Sequence, residues 1–307
     1  MPPIVICIPN FSEGRNPAVI QSLCTTVQSV PDVWLLDYSM DKDHHRSVLT
    51  FAGPPDSVAE ATFRAITRAT ELIDLRLHNG AHPRIGATDV VPFVPHRDTS
   101  MAVCVDLACR LGQKVGNELG IPVFLYEQAA SHPDRQRLEN VRRGGPMGLM
   151  SRMKSQLKWT PDFGPPRLHD SAGAIVIGAR EPLIAFNVNL ASPRLDIARA
   201  VAIAVRHSSG GLPCVKAIGV ELPSRGITQV AMNLTNYRIT SMHAAFQAVT
   251  TEAKKHGVAV AGSELIGLVP QAALDQTAAA SLQLKRVDST QVLESRIRSA
   301  MGNLPLQ

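Results

Sequence analysis

Short apolar runs alternate with amphipathic segments along the first third of the chain. The apolar runs predict β-strands at residues 4–8, 33–37, 47–51 and 89–94. Asn16 followed by Pro17 is typical of a helix start and predicts a helix that ends near residue 28, and Asp56 is expected to cap a second helix that ends near residue 75. The resulting order, β-α-β-β-α-β, is that of a ferredoxin-like unit, in which two helices cover one face of an antiparallel sheet.

The same order of elements recurs in the C-terminal half. Strands are predicted at residues 183–190, 216–222, 227–234 and 258–261, with helices over residues 195–206 and 241–256. The segment Pro223 to Gly226 has the composition of a tight turn, which supports the pairing of the two strands beside it. We therefore expect an α+β fold, an α/β sandwich made of two duplicated ferredoxin-like βαββαβ subdomains.

A segment of mixed character joins the two halves. It predicts a helix, a strand, two shorter helical stretches and a Pro/Gly-rich loop, at residues 101–119, 123–126, 136–142, 149–156 and 161–166. A boundary is expected near Arg180. This gives an N-terminal subdomain over residues 1–180 and a C-terminal subdomain over residues 181–307, with a helical tail after Pro270.

The composition is that of a soluble globular protein, with 307 residues, of which 45% are hydrophobic and 19% charged. No apolar run approaches the roughly 20 residues of a membrane helix, and the N-terminal apolar run is too short for a signal peptide. The five cysteines are odd in number and include no C-x-x-C pair, so reduced thiols are expected. Together these features predict a cytoplasmic protein with no membrane partner.

The basic residues are mostly arginine, 23 of 31, and the net charge is +5. Arginine binds carboxylates and phosphates through a planar fork, so this excess favours a small acidic ligand, although genome base composition explains it equally well. Nucleic acid is a poorer partner, because the arginines are spread singly and only 4% of residues are aromatic.

One segment, residues 78–89, concentrates polar, titratable and backbone-bending residues just before an apolar strand. Such loops carry function more often than packing. Gly80 allows a close backbone approach and Pro83 keeps His82 out of a helical conformation, so His82 is presented by the loop. The alternative is a loop histidine that is bonded to a backbone carbonyl, and the residues alone leave both open.

Two further polar clusters occupy residues 10–15 and 41–46. In a ferredoxin-like unit these connections need not lie at one edge, and helix capping or a solvated hairpin accounts for each equally well. In the C-terminal half, Asn187 and Asn189 share one face of a strand because side chains alternate. Their amides require partners, which either a heterocycle or a neighbouring strand would supply.

No metal is predicted. Aspartates and histidines near residues 41–45 and 78–96 offer ligands, but Gly80 and Pro83 interrupt the i, i+4 pair of His78 and His82, and there is no H-E-x-x-H. The G-x-S-x-G, G-x-x-x-x-G-K and G-x-G-x-x-G motifs of serine hydrolases, P-loop proteins and dinucleotide-binding proteins are absent as well.

Four segments resemble glutamate formiminotransferase, the N-terminal part of mammalian formiminotransferase-cyclodeaminase. They are PNFSEGR at residues 9–15, GAHPRIGATDV at 80–90, WTPDFGP at 159–165 and IAFNVNL at 184–190. The resemblance extends over about residues 3 to 270. It implies two ferredoxin-like subdomains whose sheets face each other around a folate tunnel, a homodimer, and a stand-alone transferase without the cyclodeaminase domain.

The resemblance also implies the chemistry. The formimino group of N-formimino-L-glutamate passes to N5 of tetrahydrofolate, which is a co-substrate with or without a polyglutamate tail. His82 matches the family's general base, and Arg46 and Arg84 are assigned to carboxylates. The mammalian form has an Asp where this chain has Ser39, so the acidic contact to the pterin is assigned among Asp37, Asp41 and Asp43. The remaining substrate contacts are assigned to Asn10, Asp162, Phe163, Gly164, Pro165, Pro166, Gly173, Gly178, Asn187 and Asn189.

Two alternatives remain within this resemblance. One is a related formyl transfer from N-formylglutamate or 5-formyltetrahydrofolate, because the same tunnel and base would serve a formyl carbon. The other is a folate-binding protein without turnover.

Overall fold

The computed structural model describes residues 3–42, 44–79, 83–222, 225–275, 279–284 and 289–302. The chain divides into two compact units, Met1–Arg180 and Glu181–Gln307. Each unit contains a β-sheet with helices packed on it and a hydrophobic core of its own. The predicted α+β class is therefore confirmed.

The N-terminal unit is built on one mixed sheet. Its strands are β1 (Ile4–Cys7), β2 (Asn10–Phe11), β3 (Trp34–Asp41), β4 (Arg46–Gly53), β5 (Thr88–His96), β6 (Val123–Glu127) and β7 (Ile175–Ala179). Its helices are α1 (Pro17–Gln28), α2 (Pro55–Leu72), α3 (Met101–Glu118), α4 (Leu138–Arg142) and α5 (Gly145–Ser155).

The first five of these strands form the antiparallel sheet of a ferredoxin-like fold. β1 and β2 lie in the middle, and both pair with β4 on one side and with β5 on the other. β3 pairs with the outer edge of β4 as a hairpin. Because every one of these pairings is antiparallel, the ends of β2 and β3 and the beginnings of β4 and β5 lie at the same end of the sheet.

A parallel extension enlarges this sheet beyond β5. β7 pairs with β5 and also with β6, both in parallel. The sequence-based prediction missed β7, although its residues are an apolar run between Gly173 and Arg180 that is typical of a buried strand. The parallel pairing requires the long crossover that α4 and α5 occupy.

Side-chain alternation gives the extension two buried faces. Val91 and Phe93 of β5 point into the core that α1, α2 and α3 cover, together with Ile177 of β7. Val90 and Val176 point the opposite way, into a second cluster that includes residues of α4, α5 and the turn at Trp159. Residues 138–159 are therefore packed against the sheet, not a linker between units.

Local signals explain where two of the helices begin. The side chain of Asn16 accepts a hydrogen bond from the backbone N–H of Ala18, so Asn16 is the N-cap of α1, as predicted. The prediction for α2 was wrong in detail. Pro54 occupies its N-cap position without a side-chain bond, Asp56 lies inside the first turn, and the helix ends at Leu72.

The C-terminal unit has the ferredoxin-like order without such an extension in its described part. Its strands are β8 (Ile184–Leu190), β9 (Val215–Leu222), β10 (Ile227–Leu234) and β11 (Val260–Ile266), in the antiparallel order β11-β8-β10-β9. Its helices are α6 (Leu195–Val205), α7 (Met242–Lys255), α8 (Gln271–Asp275) and α9 (Leu293–Ala300). The predicted turn at Pro223 and Ser224 lies outside the described residues.

Alternation also explains the core of this unit. Phe186, Val188 and Leu190 are buried with the apolar sides of α6 and α7. Asn187 and Asn189 consequently lie on the other face of the sheet. Among the described residues, no helix of either unit combines the length and the apolar character needed to cross a membrane.

Candidate active site

Three polar loops of the N-terminal unit meet at one end of its sheet. They follow β2, join β3 to β4 and precede β5. The expectation that these connections need not lie together was wrong, because the antiparallel order fixes all three at this end. The contact is close: Arg15 Nε donates to the Lys42 carbonyl oxygen at 3.0 Å, and a Cβ on Gly14 would lie only 2.2 Å from the carbonyl oxygen of Asp41.

Glu13 and His45 form a shielded side-chain pair between the first two loops. His45 Nε2 lies 3.1 Å from Glu13 Oε1, and the side chains are only 12% and 15% exposed. The same Glu13 oxygen accepts hydrogen bonds from the backbone N–H groups of Arg15 and Asn16 at 2.7 and 2.9 Å. Burial raises the pKa of Glu13, but these two N–H groups and His45 together lower it by more. The net shift of the pKa is therefore downward, and the carboxylate form is favoured.

His78 connects the third loop to this pair. Its Nε2 lies 2.9 Å from the carbonyl oxygen of His45, and the two imidazole rings are stacked with centroids 4.0 Å apart. Arg84 Nη2 donates to the carbonyl oxygen of His78 at 3.2 Å. Burial lowers the pKa of His78, the bond to the His45 carbonyl opposes this, and Arg84 and His45 lower it further. His78 is therefore favoured as a neutral ring.

The buried carboxylate of Asp89 pairs with Arg142, and its charge also acts on Arg46 and Arg84. Arg142 Nε donates to Asp89 Oδ2 at 2.9 Å, and Asp89 Oδ1 accepts from the backbone N–H of Ile85 at 2.6 Å. Burial and the neighbouring Arg142 lower the pKa of Arg46 to about 10, against the opposing effect of Asp89 and Asp41. Burial also lowers the pKa of Arg84, which Asp89 opposes. Desolvated guanidinium groups that crowd one carboxylate favour the binding of a further anion.

The segment around Gly173 is bonded through its backbone to the third loop. The backbone N–H of Ala87 donates to the Ala172 carbonyl and that of Ala174 donates to the Ile85 carbonyl, both at 2.9 Å. Gly173 has φ +70, and a Cβ there would lie 2.3 Å from the Ile85 carbonyl oxygen. Gly173 is thus required for close packing beneath the loop.

Gly178 has a similar explanation. It lies in β7, where a Cβ would be 2.3 Å from the carbonyl oxygen of Tyr126 and 2.4 Å from that residue's ring. Both glycines were assigned to leave room for a flat ring of folate. The structure fills the space beside each of them with protein atoms, and their assignment as folate contacts stays a prediction.

Residues 162–166 lie along β6 and α3. Asp162 accepts hydrogen bonds from Arg135 Nη1 at 2.8 Å, from the backbone N–H of Leu125 at 2.7 Å and from Ser131. This carboxylate therefore neutralises the buried Arg135, a role that the assignment to substrate did not foresee.

The neighbours of Asp162 pack on the same elements. The Phe163 ring packs on α3 at Gly112, and Gly164, at φ +80, lies against Gly116 and Ile121. The Pro165 carbonyl accepts from the backbone N–H of Arg167 at 2.8 Å, and Pro166 is exposed.

The remaining assigned residues are found on strands. Asn10 is buried in β2 and donates to the Ile8 carbonyl at 3.0 Å, and Asp37 is half-buried on β3 opposite Thr50. Asn187 Oδ1 accepts from the backbone N–H of Met232 at 3.3 Å. Asn189 Oδ1 accepts from the side chain of Gln229 at 2.8 Å. Of the two sources of partners left open, a neighbouring strand therefore provides bonds to both asparagines.

His82 lies outside the described residues, as do Asp43, Gly80 and Ala81. Its role as general base stays a prediction. In the part of the chain that the structure describes, no three His, Cys, Asp or Glu side chains are grouped so as to hold a metal ion.

Two residues of the site were not found from the sequence. Arg142 is 53 positions from Asp89, so no local spacing indicates their pairing. Glu13 belongs to the polar cluster at residues 10–15, for which helix capping was the alternative, and its bonds to Arg15 and Asn16 agree with capping. Its contact with His45 requires the fold.

The comparisons with known proteins agree with this architecture. The N-terminal subdomain model of the formiminotransferase domain matches residues 4–180, and the formiminotransferase domain model matches residues 185–307. The matches cover nearly the whole chain. The chain therefore belongs to the formiminotransferase family.

Curated relatives extend this result. The chain is 46% identical to a glutamate formimidoyltransferase of Streptococcus pyogenes, over 97% of this chain and 99% of that protein. It is 44% identical to a glutamate formimidoyltransferase of Thermoplasma acidophilum, over 97% and 98%. It is also 39% identical to the formimidoyltransferase-cyclodeaminase of Rattus norvegicus, of which it covers 57%.

Replacement of Gly178 by alanine tests the packing explanation. We expect a loss of about 3 kcal/mol in unfolding free energy, because the added methyl group meets backbone that cannot move aside. Gly120→Ala is the control, since its Cβ meets open space and only its φ of +64 adds a cost, about 1–2 kcal/mol. Urea unfolding measures both. A Gly178→Ala protein as stable as wild type would contradict the explanation.

Replacement of Asp162 by alanine separates a structural role from substrate binding. It leaves the charge of Arg135 buried without this carboxylate, so we expect a loss of about 3–5 kcal/mol. The control is Asp196→Ala, which removes an exposed ion pair with Arg194 and is expected to leave the urea midpoint nearly unchanged. A normal urea midpoint combined with a raised KM for folate would favour substrate contact instead.

Proposed function

We propose that this chain transfers the formimino group from N-formimino-L-glutamate to N5 of tetrahydrofolate and releases L-glutamate. The observation that carries the proposal is the cluster of Arg46, Arg84 and Arg142 around Asp89, in a member of the formiminotransferase family. The donor has two carboxylates, and arginine is the side chain that binds a carboxylate through two parallel N–H donors. The printed names of the bacterial and archaeal relatives support the same reaction.

The arginines divide into two roles in this proposal. Arg142 is held by the carboxylate of Asp89, which is 2% exposed. Arg142 therefore supplies a positive charge whose position is fixed. Arg46 and Arg84 bind the carboxylates of the donor. Because their guanidinium groups are partly desolvated, each contact to an anion is stronger than it would be in water.

The proposed chemistry needs a base that is close to neutrality. N5 attacks the formimino carbon, N5 loses its proton as the tetrahedral adduct forms, and the nitrogen of glutamate gains a proton as it leaves. A histidine suits both transfers, and His82 is the proposed residue. Holding both substrates in one place contributes a further share of the rate.

The remaining assignments stay proposals. Asn10, Asp37, Asn187 and Asn189, with the segments around Asp162, Gly173 and Gly178, are proposed to contact folate or the donor. We also propose a homodimer, as the family resemblance implies, and a cytoplasmic location.

Loss of His82 is the direct test of the proposed base. We expect His82→Ala to lower kcat by about 100- to 10,000-fold, the usual contribution of a general base. The assay mixes formiminoglutamate with tetrahydrofolate and acidifies the product to the coloured methenyl form, and circular dichroism checks the fold. A folded variant with full activity would exclude His82 as the base. Replacing the donor by N-formylglutamate in the same assay tests formyl transfer.

Arg46→Lys and Arg84→Lys test the carboxylate contacts. Lysine keeps the charge but loses the paired donors, so we expect KM for formiminoglutamate to rise about 10- to 100-fold while KM for tetrahydrofolate changes little. Arg64→Lys is the matched control, because Arg64 lies on the exposed face of α2 with Glu60. An unchanged KM for formiminoglutamate in both site variants would remove these arginines from donor binding.

A further inference from the structure

The hydrogen bonds of His45 indicate its protonation state. Its Nε2 faces the carboxylate of Glu13 at 3.1 Å, and its Nδ1 faces the carbonyl oxygen of Asn79 at 3.2 Å. A carbonyl oxygen and an ionised carboxylate can only accept, so a ring that bonds to both must donate from both nitrogens. Only the imidazolium form does so.

The contacts of His78 indicate the opposite state. Its Nε2 faces the carbonyl oxygen of His45 and must carry a proton. Its Nδ1 is buried and has no hydrogen-bond partner in the described part of the chain. A second proton would therefore place an N–H where none of the described groups accepts it, and would stack a second imidazolium on His45 at 4.0 Å. Both effects oppose a charged His78, in agreement with its lowered pKa.

Charged groups face the pair from every packed element and do not all act alike: the Glu13 carboxylate raises the pKa of His78, whereas Arg84 lowers it. Glu13 of the first loop faces His45. Arg84 of the third loop lies next to His78 and disfavours a positive charge there. On the hairpin, Asp41 pairs with His44 at the exposed surface, and Asp41 also acts on the neighbouring Arg46.

We propose that His45 and His78 form a one-proton pair, in which Glu13 holds His45 as an imidazolium and His78 stays neutral, and that this pair positions Arg84 for the donor carboxylate. The inference rests on the proposed function for its kinetic consequence, but not for the protonation states. His78 acts here as a positioning residue, because its carbonyl holds Arg84 and its ring ties the third loop to the hairpin.

The pair has two ways to fail as pH changes. In acid, His78 takes up a second proton on Nδ1. Its positive charge then repels that of His45, and the new N–H has no acceptor, so His78 separates from His45 and Arg84 is released. In alkali, loss of the proton on His45 removes the donor to Glu13 or to Asn79, which loosens the hairpin. Binding of the donor therefore weakens on both sides of the range in which the pair holds one proton.

The first experiment reads protonation without using activity. Nitrogen-15 labelled histidine is incorporated into the full chain, and long-range proton–nitrogen spectra identify the protonated ring nitrogens, with resonances assigned from His45→Asn and His78→Gln. We expect two protonated nitrogens on His45 and only Nε2 protonated on His78 at neutral pH. A neutral His45 or a charged His78 there would overturn the proposal, whether or not the protein transfers a formimino group.

Glu13→Gln removes only the charge of Glu13. Its three hydrogen bonds, from Arg15, Asn16 and His45, all end on Oε1, which glutamine retains. We expect the fold to persist and the doubly protonated fraction of His45 at neutral pH to fall. An unchanged fraction would show that Glu13 does not hold the proton.

The second experiment measures KM for formiminoglutamate against pH. The donor carboxylates stay ionised above about pH 5, so a change in KM above that point reports the protein. We expect wild-type KM to rise about tenfold toward acid and toward alkali, the equivalent of one weakened charged contact. Glu13→Gln should start its alkaline rise at lower pH.

His78→Gln is the decisive kinetic variant. Glutamine can place an amide N–H near the position of Nε2, but it cannot take up a proton, so the acid rise in KM should disappear. In the His45→Asn variant that assigns the spectra, asparagine is chosen because it tolerates the φ of +50 at position 45. His44→Asn is the control, since His44 lies exposed on the same hairpin, and it should reproduce the wild-type profile. An acid rise that persists in His78→Gln would overturn the positioning role, because glutamine cannot take up the proton to which that rise is assigned.

Discussion

The two central strands of the N-terminal unit, β1 and β2, each pair with β4 on one side and with β5 on the other. The site depends on this pairing on both sides. β2 contributes only Asn10 and Phe11, yet it bonds to β4 and to β5 at once. Antiparallel pairing on both sides brings two strand ends and two strand beginnings to one end of the sheet. Every loop that carries a polar cluster is therefore delivered to the same place, even though residues 13 and 89 are far apart in the sequence.

At that end of the sheet, charged side chains are buried and opposite charges beside them offset the cost. The arginines are costly to bury, and Asp89 offsets part of that cost for three of them. In the proposed one-proton pair, Glu13 does the same for His45. The site is thus a set of desolvated charges that the backbone holds in place, which is the arrangement that binds an ionic substrate without first having to reorganise.

Much of this fold can be predicted from periodicity and capping. β10 extends over the predicted residues 227–234, and α1 begins after its Asn16 cap as predicted. A duplicated βαββαβ pattern has no place for a strand at residues 175–179, so that pattern does not predict β7. The resemblance motifs at residues 9–15 and 80–90 include two of the three loops that meet at one end of the sheet. They could not show that Glu13 reaches His45 or that Arg142 reaches Asp89, since both contacts depend on strand order. The glycines at 173 and 178 look the same in sequence whether they face a ligand or a neighbouring strand.

The position of β7 between β5 and β6 also bears on how the chain acquires its structure during synthesis. β6 leaves the ribosome about fifty residues before β7, but it joins the sheet only through β7. The sheet of the N-terminal unit therefore cannot be completed until Ala179 has emerged, when only a few residues remain before the next unit begins. Domains generally fold as units and in order of synthesis. Until that moment β6 lacks the strand that joins it to the sheet, and the crossover helices lack the β7 part of the apolar surface on which they pack.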